Sequence, residues 1–178
     1  MKRLSLLLFL LLATCASPAS PPPPPQPTPV ALSVYFSPKG GATEAIVQQL
    51  DKAKTAILVQ AYSFTSAPIA KALVAAHEKG VKVQIILDKS HLTERYTNAP
   101  FLAKSGIPVK IDSAHAIAHN KIMIIDGETV ITGSFNFTKA AEEKNAENLL
   151  VIRDKATAEK YIRNWQEHAG HSDPYAGR

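Results

Sequence analysis

The chain has 178 residues, 46% of them hydrophobic and 20% charged, and its Lys and Arg outnumber its Asp and Glu by 20 to 15, a formal charge of +5. This composition excludes a wholly disordered chain, a collagen-like repeat and a multi-pass membrane protein, and it fits one folded core. The mild basic excess permits a polyanionic partner without establishing one.

The chain opens on Met1-Lys2-Arg3 and then an almost unbroken apolar run from Leu4 to Ala13. That run is too short to span a bilayer and small residues follow it, so residues 1–20 read as a secretory signal and a periplasmic or secreted location is expected. The single cysteine, Cys15, sits where the run ends. Leu12-Ala13-Thr14-Cys15 resembles a bacterial lipobox, with Thr14 in place of the usual Gly, Ala or Ser. Soluble export is the favoured expectation, and a lipid anchor at Cys15, making a membrane-anchored lipoprotein, is the alternative. The folded part contains no cysteine, which excludes a disulfide or a cysteine-ligated metal there. Eight of the 13 prolines lie between Pro18 and Pro29. Residues 21–29 therefore form a linker of polyproline II character.

The expected domain spans residues 30–170, with a frayed tail at 171–178. Its pattern alternates β-branched runs and helical periodicity, which points to an α/β (α+β) single domain, a mixed sheet flanked by helices. Strands are expected at 30–36, 55–62 and 81–87, with helices at 40–53 and 67–79 between them. These two β-α-β steps predict parallel strands. A polar loop at 88–98, a short helix at 100–104 and a strand at 108–111 follow. Residues 119–125 and 128–133 read as strands joined by the tight turn Asp126-Gly127. Residues 134–144 are a loop or helical connection, 145–152 another strand and 156–169 a closing helix.

The chemistry concentrates in His119-Asn120-Lys121 through Asp126, followed by Gly133-Ser134-Phe135-Asn136. Alternation along a strand sends His119 and Lys121 to one side, and the hairpin returns Ser134 and Asn136 to their end. Burying Lys121 without a partner costs several kcal/mol or depresses its pKa, so it is expected to face a cleft that receives an anion. An imidazole, an ammonium, a hydroxyl and an amide suit a tetrahedral phosphate. Glu147 opens a strand that can lie beside the hairpin, where its carboxylate would orient His119.

At these residues the chain resembles the phospholipase D superfamily, whose signature is H-x-K-x-x-x-x-D followed by G-S-x-N. The fixed positions are all met, by His119, Lys121, Asp126, Gly133, Ser134 and Asn136. The likeness covers residues 35–165, including Ala61-Tyr62-Ser63-Phe64-Thr65, Ser105-Gly106-Ile107-Pro108 and residues 133–142, and is closest to the superfamily's short, single-motif bacterial endonucleases. It implies a phospholipase D-like fold and a phosphodiesterase that needs no metal or other cofactor and forms a phosphohistidine. It also implies a homodimer with one active site across its two-fold axis. His119, Lys121, Asp126 and Glu147 would be catalytic, Asp126 from a place at the turn that suggests support of the hairpin more than contact with substrate, and Lys121, Ser134 and Asn136 would bind phosphate. The expected substrate is DNA, with RNA as a further one, cleaved with little sequence preference. The alternatives are a phospholipase D acting on phospholipid head groups and a catalytically silent nucleic-acid-binding domain.

No metal site is expected. His115 and His119 have the i, i+4 spacing of a metal pair, but they precede a strand and lack the glutamate of the zinc-protease pattern. His77, His91, His168 and His171 read as surface residues. Lys89, His91 and Arg95 make the 88–98 loop either a basic flap over nucleic acid or a solvated loop.

Overall fold

A computed structural model describes residues 29–177. The signal segment, Cys15 and all but the last residue of the proline linker lie outside the described residues. The elements run β1 (Ala31–Ser37), α1 (Ala42–Asp51), β2 (Ala56–Ala61), α2 (Ala67–Glu78), β3 (Lys82–Asp88), a short 3-10 turn (Lys89–Leu92), α3 (Ala99–Lys104) and β4 (Val109–Asp112). They continue with β5 (Lys121–Ile125), β6 (Thr129–Gly133), α4 (Lys139–Glu143), β7 (Glu147–Arg153), α5 (Lys155–His171) and β8 (Asp173–Pro174).

All eight strands form one mixed sheet in the order β1-β7-β6-β5-β2-β3-β4-β8. The helices α2 and α3 carry the crossovers that make β2, β3 and β4 parallel, while the remaining pairs are antiparallel. The first β-α-β step departs from expectation. β1 is separated from β2 by three strands and pairs antiparallel with β7, Ser37 opposite Glu147. Local periodicity identifies a strand but not its partner, and β7 offers β1 a complete seven-residue ladder.

Both sheet faces are covered, which explains why β5 is buried at every position. On one face α1 and α2 set Ile46, Leu50, Ile69 and Leu73 against Ile57, Val59, Val83, Met123 and Val151. On the other, α5 sets Ala158 and Trp165 against Ile86, Ile122, Ile124 and Val130. Trp165 Nε1 donates to the Val59 carbonyl at 2.9 Å, so the one polar atom of that ring is satisfied within the core. Asp154 caps α5 by accepting from the Thr157 amide at 2.7 Å.

Two further expectations are corrected. The segment after α5 is not frayed: β8 pairs with β4, and the Tyr175 amide donates to the Val109 carbonyl at 2.9 Å. His91 is fully buried, its Nε2 2.9 Å from the Tyr62 carbonyl and its Nδ1 2.5 Å from Thr97 Oγ1. Burial pushes its imidazole below the usual range, which makes it a structural pin under the 88–98 loop and not part of a basic flap.

Candidate active site

The site lies at one end of the sheet, where β2, β3 and β6 finish and β5 and β7 begin. The ladder pairs Met123 with Ile131, Ile131 with Val151 and Gly133 with Leu149. Continued to the strand ends, that register brings His119, the Ser134–Asn136 stretch and Glu147 to one rim.

His119 is exposed and stands two residues ahead of β5, not on the strand as expected. Its segment is held by backbone bonds. The Tyr62 amide donates to the Asn120 carbonyl at 2.8 Å, and the Ala118 amide donates to buried Asp88 at 2.7 Å. Burial raises the Asp88 carboxyl, but the amides of Ser90 and Ala118 hold it below the usual carboxylate range, so it stays an anionic anchor. The imidazole of His119 packs on Tyr62 with ring centroids 4.5 Å apart. No hydrogen bond with a described residue occupies either ring nitrogen.

Lys121 is 6% exposed, the one buried ammonium among the described residues. Its Nζ donates to the His119 carbonyl at 2.8 Å and sits 5.0 Å from the Tyr62 ring centroid. Burial lowers its pKa, and the Glu147 carboxylate pulls it back up. The ammonium thus has one hydrogen bond and two spare donors beneath an open rim, the arrangement of a site that receives an anion.

Gly133 makes the approach of β6 to β7 possible. Its φ is 147°, and a Cβ there would fall 2.2 Å from the Asn148 carbonyl oxygen. Beyond it Ser134 is exposed, its amide donating to the Asn148 carbonyl and its Oγ accepting from the Asn148 amide, each at 3.1 Å. Asn136 Oδ1 is buried without a hydrogen-bond partner among the described residues; it is an acceptor, so a phosphate oxygen would be held by the Nδ2 donors of the same amide.

Two residues sit differently from the sequence expectation. Glu147 is near enough to act on Lys121, but no hydrogen bond joins it to His119; its carboxylate accepts from Asn145 Nδ2 at 3.2 Å. Asp126 is separated from the cluster by the whole length of β5, roughly 13 Å of strand. Its carboxylate accepts from the amides of Lys54, Thr55 and Ala56 and from Thr55 Oγ1, at 2.8–3.2 Å. Burial raises that carboxyl, and these bonds more than reverse it. Asp126 therefore locks the β5–β6 turn to the start of β2, which corrects its place among the catalytic residues. A depression of about 770 Å³ beside Asp126 contains no histidine and belongs to that distant end.

The chain matches the family described as "Cardiolipin synthase, PLD-like domain" over residues 46–169. It is 47% identical over 134 residues to a Phospholipase D of Rickettsia conorii, an alignment covering 75% of this chain and 67% of that protein. Among solved structures, Nuc from Salmonella typhimurium, a phospholipase D family member, is similar with a TM-score of 0.79 at 44% identity, over 83% of this chain and 99% of that one. NucT from Helicobacter pylori is similar with a TM-score of 0.77 at 26% identity, over 83% of this chain and 100% of that one.

Proposed function

Because the chain belongs to the phospholipase D superfamily, through its PLD-like domain, we propose that it is a phosphodiesterase whose preferred substrate is DNA, cleaved endonucleolytically through a phosphohistidine. The observation that carries this reading is the convergence, on one rim, of unencumbered His119, buried Lys121, Ser134, Asn136 and Glu147. Lys121 and Asn136 would hold the non-bridging phosphate oxygens with Ser134. Glu147 would keep Lys121 charged despite its burial, which is the role its field on the ammonium supports.

In the first step a ring nitrogen of His119 attacks phosphorus, the P–N bond forms, and the P–O bond to the leaving alkoxide breaks. That alkoxide needs a proton from the opposite side, because displacement is in line. One chain offers one such histidine. We infer that a second copy, related by a two-fold axis, supplies its own His119 as the acid, since an isologous interface presents each residue twice. Water, losing a proton to that same second histidine, then hydrolyses the P–N bond and restores both imidazoles.

DNA is favoured over lipid by the resemblance to the superfamily's short single-motif endonucleases, and the basic excess permits it: without Lys2 and Arg3 of the leader, 18 Lys and Arg against 15 Asp and Glu leave +3. Binding through phosphate contacts alone would be weakly selective for sequence and would weaken steeply with salt. The 47% identity to a protein named Phospholipase D favours a second reading, hydrolysis of phospholipid head groups.

The test is cleavage of supercoiled plasmid by the full chain in excess EDTA, beside His119→Ala and beside head-group release from phosphatidylcholine vesicles. Chelator-resistant plasmid cleavage that falls at least about 100-fold in the variant is expected. Head-group release without plasmid cleavage would move the substrate to lipid, and loss of neither activity in His119→Ala would end the phosphohistidine reading. An exported protein is the location we propose from the leader, tested by fractionating expressing cells.

A further inference from the structure

Three of the six histidines gather away from the catalytic rim, around a carboxylate. We propose that Asp112, His115, His168 and His171 bind a borderline divalent transition metal, zinc foremost, which ties the loop leading into His119 to the end of α5. The inference is independent of the substrate reading above.

The four side chains bring one ligand atom each to within 4.8 Å of one another. Asp112 is fully buried, and its Oδ2 lies 3.1 Å from His115 Nδ1, 2.7 Å from His168 Nδ1 and 3.3 Å from His171 Nε2. The 3.1 and 3.3 Å separations are near the edge of a tetrahedron with metal–ligand bonds of about 2.0–2.1 Å, which is about 3.4 Å; the 2.7 Å one is shorter and the widest spread of the four atoms, 4.8 Å, is longer, so binding would draw the groups into place by small side-chain shifts. His115 Nδ1 is also 3.1 Å from Oδ1, which accepts from the Ala114 amide, so three imidazoles and one amide surround a single carboxylate. An ion between the four groups would turn the three imidazole lone pairs toward one centre, with Asp112 as its anionic ligand.

The donor set argues for the metal class. Three imidazoles with one carboxylate suit zinc, nickel or copper, whereas magnesium and calcium require oxygen ligands. The backbone carrying the ligands is fixed from outside. Lys89 Nζ donates to the His115 carbonyl at 2.8 Å, Lys110 Nζ to the Ala169 carbonyl at 2.5 Å, and Ser172 Oγ to the His168 carbonyl at 2.6 Å. The His115 and His171 side chains are 45% and 38% exposed, which leaves an entry path for the ion. Asp112 stands three strands from β5, roughly 14 Å across the sheet, so this ion would not touch the reacting phosphate.

The test uses the full chain carrying no affinity tag, stripped with chelator, exposed to zinc chloride and desalted. Retention of about one equivalent of zinc, a rise in melting temperature with zinc, and ligand-field absorption bands of a tetrahedral site with cobalt(II) are expected. The double variant His168→Gln/His171→Gln should lose the retained zinc and the melting shift, with affinity down more than about 100-fold. Substoichiometric retention by the wild type, or equal retention and shift in the variant, overturns the proposal. If the double variant does not fold, the wild-type cobalt spectrum decides, and absence of tetrahedral bands overturns it. A folded double variant that still cleaves plasmid would separate this ion from the phosphodiester chemistry.

Discussion

At Gly133 a single hydrogen atom decides whether the two strands carrying the site can meet. The Asn148 carbonyl oxygen would lie 2.2 Å from a Cβ, and that atom belongs to backbone that is itself bonded to Ser134. Gly133→Ala should therefore cost at least about 2 kcal/mol and displace Ser134, lowering the melting temperature and the activity of the protein that remains folded. Asp126 makes the complementary case, a motif residue whose work is structural. Asp126→Asn should destabilise by roughly 2 kcal/mol near neutral pH and leave the turnover of folded protein near wild type. Its folded pKa lies below the usual value of about 3.9, so its contribution is complete above that value and lost as pH falls through the folded one. The variant's acid unfolding curve should be correspondingly flatter; an unchanged curve would remove the anchoring role.

Residue identity was legible in the sequence where a motif packs chemistry into a few positions, as with His119, Lys121, Ser134 and Asn136. It was illegible where the partner is distant or is backbone. His91 is buried against the carbonyl of Tyr62, and no side-chain pattern announces such a bond. The pairing of Asp112 and His115 with His168 and His171 spans more than fifty residues of chain, and the only local sign was the shared i, i+3 spacing of Asp-x-x-His and His-x-x-His. Reading His115 with His119 followed sequence proximity, whereas the segment between them leaves His115 beside Asp112 of β4 and brings His119 onto Tyr62.

Among the elements, α5 connects the core to both ends of the sheet. Its Trp165 is 5% exposed, fills the second core layer and bonds the Val59 carbonyl. Trp165→Ala should cost about 3–5 kcal/mol, by cavity formation and a lost bond together. Because β8 follows α5 directly and pairs with β4, amide exchange should rise in β8 and at Tyr175 before it rises in β5. Simultaneous loss of protection everywhere would instead show that α5 unfolds only with the whole domain. The existence and type of these elements followed from hydrophobic period and from signals such as Asp126-Gly127. Their partners did not, because a strand's pattern is the same whether its neighbour is parallel or antiparallel, near or remote, and β1 beside β7 is the consequence.

At the scale of the whole molecule, the edge strand β1 carries an apolar row that the folded chain leaves bare. Val30, Leu32, Val34 and Phe36 are 51%, 53%, 47% and 66% exposed. They alternate along one face, in register with Ile152, Leu150 and Asn148 of β7, beyond the reach of α5. An edge strand with such a face favours association. The row ends at Phe36, one residue before Ser37, which stands opposite Glu147 of the catalytic rim. In the proposed dimer a second copy seated there would cover this face and approach the rim from the β1 side. Val34→Lys combined with Phe36→Glu changes exposed side chains and should leave monomer stability within about 0.5 kcal/mol per site. It should convert the protein to monomers in equilibrium sedimentation and lower plasmid cleavage by about 100-fold or more, the contribution expected of a general acid. Cleavage at the wild-type rate by a monomer, of either protein and at assay concentration, would mean that one chain holds a complete site, and the acid would then have to be sought among its own side chains.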